Sequence, residues 1–281
     1  MRLLPTVAAA LAAALVPSAS HAAHSYDSCT GFIKSLPTTL GAQGTWCLDK
    51  DLSTSQASGE VVTVAANNVT IDCNGFKIGG LAAGPDTQAA GIATLSRLNT
   101  VVRNCSVRGF QVGIWADGGG GHVIEDNRLE GNRRFAVLAE STTALIRRNQ
   151  VLDSGAAGVT IARAIHVGGT VDVIENTIDG VAPATANTWA AGITTANNLF
   201  GVIAGNRIRG LAPNGSGYSM GIYAATAGPM QISGNHLFGA GLENSIGIYC
   251  GDNQQLATQN QIVGFDVSIG ICTPFDNWDV P

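Results

Sequence analysis

Apolar residues recur along this chain at fixed offsets from a small set of asparagines. Asn74, Asn127, Asn149, Asn176, Asn206, Asn235 and Asn260 each have an apolar residue three places before and another two places after. Most also have a glycine four places after, as in the phrases VIEDNRLEG and VIAGNRIRG. A second phrase, a small residue followed by Ile or Val, interleaves with the first. It occurs at Gly91-Ile92, Gly113-Ile114, Ala136-Val137, Gly158-Val159, Gly192-Ile193, Gly221-Ile222, Gly247-Ile248 and Gly270-Ile271. Self-similarity at a period of a few tens of residues predicts a solenoid.

The step from the second phrase to the asparagine is nearly constant, 14 residues from Gly113 to Asn127 and from Gly221 to Asn235, and 13 from Ala136 to Asn149. Gly158 to Asn176 takes 18 residues, which predicts a bulging loop at 163–169. The return step varies from 9 residues (Asn149 to Gly158) to 16 (Asn176 to Gly192), so insertions fall on one side of the coil. Such one-sided insertions commonly mark the working face of a solenoid. Three short strands per coil account for the alternation. Ile114 and Ala116 face inward after the glycine, Val171 and Val173 before the asparagine, and Ile178 and Ile208 after it. Cys105 fits the asparagine slot of one coil, because Val102 and Val107 then take the apolar positions. Asparagine tolerates the left-handed backbone of a sharp bend, and stacked amides can bond one another in a ladder. A helical solenoid would be richer in charge than 12% and poorer in glycine than 36 residues.

These phrases resemble the right-handed parallel β-helix of the pectate-lyase-like superfamily, over roughly residues 60 to 272. The resemblance implies an all-β, single-stranded, three-sheet solenoid of about eight coils with an asparagine ladder at one corner, ~35–40 Å long at ~4.8 Å per coil. It places the Gly-Ile strand in the first sheet and the variable segments as loops walling a cleft. Residues 1–22 read as a signal peptide, with Arg2, an apolar stretch and a Ser20-His21-Ala22 cleavage pattern, so a secreted or periplasmic protein is expected. Residues 23–59 and 273–281 lack the repeat and are expected to cap the two ends.

Removing the leader takes away Arg2 and leaves 14 basic against 20 acidic residues, a net charge of −6. That sign, with no basic run, argues against a nucleic-acid partner. No second long apolar segment predicts a membrane span, and a monomer without cofactor or metal is expected. Six cysteines in an exported chain favour disulfides. Local pairing gives Cys29–Cys47, Cys73–Cys105 and Cys250–Cys272, the last needing a register slip because Cys250 reads inward and Cys272 outward.

Under the resemblance, the chemistry belongs on the outward side of the Gly-Ile strands. Trp115, Thr160, Tyr223 and Tyr249 fall there, and insertion loops at 181–190 and 212–219 bring Trp189 and Tyr218 to the same side. Aromatic surfaces with polar tips suit sugar rings, or they pack under the loops. Asp117 and Glu140 share one slot on consecutive coils. They are the candidate catalytic pair, close enough to divide acid and base roles or, alternatively, two exposed strand-end acids. Lys77, Arg108, Arg128, Glu130, Asp179, Arg207, Arg209 and His236 line the strand after the asparagine and read as cross-strand pairs. His122 and His166 read as solvated turn residues. The catalytic steps of polygalacturonases, pectate lyases and alginate epimerases are missing; Gly121-His122-Val123 is the nearest approach to one of them. Two readings stay open. One is a polysaccharide-processing enzyme of lyase-, epimerase- or hydrolase-like activity; the other is a non-catalytic binding or surface module.

Overall fold

The computed structural model describes residues 26–155, 158, 161–196, 200–224, 228–251 and 255–280. The expected signal peptide and Thr160 lie outside the described residues. Among the described residues, all 27 strands join one ladder, every strand pair is parallel, and the helical content is a single 3₁₀ turn at Leu81–Ala83. Parallel stacking of this kind makes three sheets. The first contains Glu60–Val64, Ala90–Leu95, Val112–Asp117, Trp189–Thr195 and Ser219–Ala224. The second contains Val69–Asp72, Val101–Arg103, His122–Glu125, Gly201–Ala204 and Met230–Ser233, and the third Lys77–Gly79, Arg128–Glu130, Thr177–Val181 and Arg207–Leu211. Some strands round a corner unbroken. Phe135–Arg147 pairs in the first sheet through Glu140 and in the second from Ala144, with a register shift between Ser141 and Thr143.

The core is a set of stacked apolar columns. Val62, Ile92, Ile114, Val137, Ile165, Ile193, Ile222 and Ile248 lie in register on eight successive coils and are fully buried. This is the inward column that the Gly-Ile phrase predicts, with one correction. In the fifth of these coils the inward residue is Ile165, preceded by Ala164; Val159, which the phrase placed there, lies outside the described residues. The loop expected at 163–169 is absent, since Ile161–Ile174 is one strand there. The insertion lies before it, so the return from Asn149 takes 15 residues, like the 16 and 15 of the two coils that follow. Alanine fills the small slot at 164 as it does at 136, and Gly158-Val159 merely imitates the phrase.

The corner between the second and third sheets carries the ladder. Asn127, Asn149, Asn176, Asn206, Asn235 and Asn260 each donate from Nδ2 to the Oδ1 of the next rung, at 2.9–3.0 Å. Each Nδ2 also donates to a backbone carbonyl of the coil before, such as Ile124 O from Asn149 at 2.8 Å. The left-handed bend sits one residue earlier than expected, at Asp126, Arg148, Glu175, Gly205, Gly234 and Gln259. The asparagine follows that bend and points inward. Cys105 holds a ladder slot, its N–H donating to Asn127 Oδ1 at 3.0 Å. Asn74 does not belong to the ladder; it is itself left-handed in a wider turn, and Cys73 makes the link to Cys105.

Parallel pairing extends past the repeat at both ends. Gly31–Phe32, Gly44–Cys47 and Thr38–Leu40 already stack on later coils, and Thr273–Phe275 and Trp278–Val280 form a further rung. Asn277 adds a ladder member there, accepting from Asn260 Nδ2 at 2.9 Å. All three expected disulfides are present and no cysteine is free. The slip needed for Cys250–Cys272 is a left-handed bend at Ile271, φ 62°, which turns Cys272 back towards the core. Titration of the denatured, unreduced protein should therefore find no reactive thiol; two or more would refute the framework.

Candidate functional site

The outward side of the first sheet carries one continuous column. Trp115, Leu138, His166, Thr194, Tyr223 and Tyr249 occupy equivalent positions on successive coils, in register. Strand alternation forces this grouping, since residues at equal offsets from the inward isoleucine stack above one another. Of the residues expected here, Trp115, Tyr223 and Tyr249 are in the column, and Asp117 and Glu140 pair in register on its flank. His166, expected as a solvated turn residue, holds the slot that had been assigned to Thr160.

The tyrosines present less than two open faces. Tyr223 and Tyr249 stack on each other with centroids 5.3 Å apart and planes within 9°. A ligand approaching the pair from solvent meets mainly edges and hydroxyls. Trp115 packs with Leu138 against Ala90, Val112 and Phe135, an outer apolar cluster separate from the core. Its indole Nε1 is buried without a partner among the described residues. Trp189 lies off the column, in register with Ile161, and meets Tyr218 edge-on at 5.2 Å. That contact joins the two expected wall loops. They are also tied by Asn214 Nδ2 donating to Ala184 O at 3.0 Å and Ser216 Oγ to Asn187 Oδ1 at 2.9 Å.

His166 is the centre of the polar chemistry. Its Nδ1 is 2.6 Å from Thr194 Oγ1, and its Nε2 is 3.4 Å from Glu140 Oε1. Burial, helped by the guanidinium groups of Arg163 and Arg134, pushes the imidazole down to about 4. A nearby carboxylate would favour the imidazolium, but the desolvation of this side chain outweighs it. The ring is thus neutral at pH 7, able to donate from one nitrogen and accept at the other. His122 is also buried, and its pKa is likewise lowered by burial. Its Nδ1 accepts from Thr100 N–H at 3.3 Å, which leaves Nε2 to donate to Gly118 O at 3.2 Å. Neither histidine is solvated as expected.

A depressed histidine pKa has a definite stability signature. Between pH 6.5 and about 4 the unfolded chain binds a proton at residue 166 and the folded one does not. Stability from this group is therefore present near pH 7 and lost as pH falls through that window, by about 3 kcal/mol in total. In His166→Gln the denaturation midpoint should fall less between pH 7 and 4 than in the parent. Parallel pH profiles for the two proteins would contradict the assignment.

Two arginines complete the site, and neither was among the sequence candidates. Arg134 and Arg163 lie over the Phe135 ring, with guanidinium carbons 5.0 and 5.5 Å from its centroid. Burial and Arg134 both lower the pKa of Arg163, while Glu140 and Tyr223 oppose them. The signal for Arg163 was hidden by the misplaced coil, since it precedes the true Ala164-Ile165 step by one residue. No group of three or more potential metal ligands occurs among the described residues. On the third sheet expected cross-strand pairs form, including Arg108–Glu130 at 3.6 Å and Arg209–Asp179 at 2.5 Å.

A family model described as a right handed beta helix region matches residues 51–200. No curated protein matches the sequence. Among solved structures, a mutant tailspike protein of E. coli bacteriophage HK620 in complex with a pentasaccharide is similar, at 11% identity and a TM-score of 0.33. The alignment covers 89% of this chain and 53% of that one, so the chain spans about half the length of that protein.

Proposed function

The chain belongs to the right-handed β-helix family, and from that premise we propose that it is an exported protein that binds a polysaccharide along the outward face of its first sheet. A fold of this kind hosts many functions, so the reading rests on the site. The observation that carries it is the column from Trp115 to Tyr249. An apolar start of Trp115 and Leu138 runs on without a break through His166, Thr194, Tyr223 and Tyr249, six coils in all, beside a wall of two loops tied together. Most charged residues of the third sheet instead pair with an opposite charge. An extended polymer with a hydroxyl at every unit suits such a track, since it offers apolar area at one end and ring edges with polar atoms at the other. Three disulfides accord with an oxidising, extracytoplasmic compartment, and no described helix is long and apolar enough to cross a membrane.

A glycan array followed by titration calorimetry tests this directly. Tyr223→Ala should weaken the best ligand about tenfold, a loss of ~1.4 kcal/mol, while the denaturation midpoint changes little. Tyr223 is a better probe than Trp115, because truncating Trp115 also opens the apolar cluster beneath it. If no glycan binds, the reading falls. If Tyr223→Ala binds like the parent, the groove is elsewhere, and the strand with Arg128, Arg207 and His236 is next.

Processing of the bound glycan is a second reading, favoured by one observation. Glu140, His166 and Asp117 share the groove, and a neutral imidazole beside a carboxylate can move a proton. Lyase- or epimerase-like turnover would give unsaturated uronate absorbance or an epimerised product, hydrolysis new reducing ends. Loss of turnover in Asp117→Asn with binding intact would support it. Binding without turnover would leave a non-catalytic module.

A further inference from the structure

Several charges on the second and third sheets pair with an opposite charge across rungs. Arg103 meets Asp72 at 2.8 Å, Arg147 meets Glu125 at 2.7 Å, and Arg148 meets Asp126 at 2.7 Å. The first-sheet groove holds no such pair. Among the described residues, no carboxylate lies within ion-pair distance of Arg134 or Arg163, and no Lys or Arg within that distance of Asp117 or Glu140. Arg163 Nε is buried with no hydrogen-bond partner. The partner of Glu140 is His166, which carries no charge at pH 7.

The four groups are also sorted by side. Arg134 and Arg163 flank Phe135 at the start of the strand, by the insertion loops. Asp117 and Glu140 stand at its far end, in register with each other. Phe135 and Glu140 are five positions apart on one strand, ~16 Å at most along the backbone, and the side chains shorten that gap. A cationic edge and an anionic edge thus run on opposite sides of the central column. Arg134 and Glu140 are exposed, but Arg163 and Asp117 are half-buried, and leaving that inner pair without counter-charges is costly unless a ligand supplies them.

We infer that the ligand of this groove is an amphoteric glycan, one whose repeating units carry both an anionic group and a free ammonium. The inference rests on the polysaccharide reading above and specifies its substrate class. The paired guanidinium groups over Phe135 hold the carboxylate, sulfate or phosphate, with the planar donor geometry that suits an oxyanion. Asp117 and Glu140 hold the ammonium, and the two carboxylates at one strand spacing repel each other less once it is bound.

Calorimetry on the full chain tests it with four polymers: neutral chitin oligosaccharides, anionic hyaluronan, cationic chitosan, and partly N-deacetylated hyaluronan, which carries both charges. The last should bind at least tenfold more tightly than any of the others. Arg134→Gln should bring it down towards the chitosan affinity and Glu140→Gln towards the hyaluronan affinity. Both side chains are exposed, so the variants should fold. Arg163→Gln should act like Arg134→Gln. Equal affinity for the neutral and doubly charged polymers would overturn the inference and leave the polysaccharide reading standing. Binding of none of the four would overturn it as well, and the array separately decides whether any glycan binds.

Discussion

Asn206→Ala is expected to lower the unfolding free energy by about 4 kcal/mol, the sum of two or three orphaned buried groups at ~1–3 kcal/mol each. Asn206 is fully buried. Its Nδ2 donates to Val173 O at 2.8 Å and Asn235 Oδ1 at 3.0 Å. Its Oδ1 accepts from the backbone N–H of Asn176 at 2.9 Å and from Asn176 Nδ2 at 3.0 Å. Alanine leaves the Val173 carbonyl and the Asn176 N–H without partners, out of reach of water. Since domains have only ~5–15 kcal/mol to lose, the effect should show as a large drop in the denaturant midpoint. Asn74→Ala is the matched control. Its amide makes one 3.2 Å bond to Leu48 O in a partly exposed turn, so the loss should stay near 1 kcal/mol or below. Equal losses at 74 and 206 would mean that the ladder contributes nothing beyond ordinary turn bonds.

Gly221→Val should cost about 3 kcal/mol, the upper end for overpacking a core, or prevent folding outright. A Cβ at Gly221 would sit 2.3 Å from Leu237 Cδ2 and 2.5 Å from the carbonyl oxygen of Gly247 on the next coil. The leucine tip can rotate, but the carbonyl is fixed by the parallel register on either side of it, Met220 with Ile246 and Ile222 with Ile248. Separating the two coils would break that ladder. The same approach recurs at Gly91, Gly113, Gly192 and Gly247, which is why the small residue recurs in the phrase. Gly221→Ala should be milder, as Ala136 and Ala164 occupy the slot elsewhere. Gly41→Ala, where a Cβ meets nothing within 4 Å, should be neutral. A valine variant as stable as the parent would show that the coils can part without cost.

The architecture was legible in the chain because a solenoid repeats its constraints. Each coil must bury the same column and satisfy the same corner, so Ile114, Ile193 and Ile222 recur with the asparagines that follow them. The three disulfides were legible for a related reason: with coils stacked in sequence order, cysteines on adjacent coils are neighbours in space. The ends were not legible. There the slots hold other residues, as Cys73 does, or lack the apolar position after the asparagine, as Asn277 does.

The site was legible only in part, since periodicity reports the buried face and is silent about what outward residues do to one another. Equal offsets placed Trp115, Asp117, Glu140, Tyr223 and Tyr249 together correctly. One ambiguous coil, where Gly158-Val159 imitates the phrase that Ala164-Ile165 fulfils, was enough to hide His166 and Arg163, because a shift in register replaces every outward residue of that rung. Whether two tyrosines stack on each other, whether an imidazole is buried enough to stay neutral, and which charges find partners depend on distances across coils 22 to 30 residues apart. The chain by itself determined the coil, the ladder and the cross-links, which follow from local steps repeated along it. Only the stacked structure decided the chemistry of the groove, because burial and charge pairing are properties of neighbours that the sequence does not place side by side.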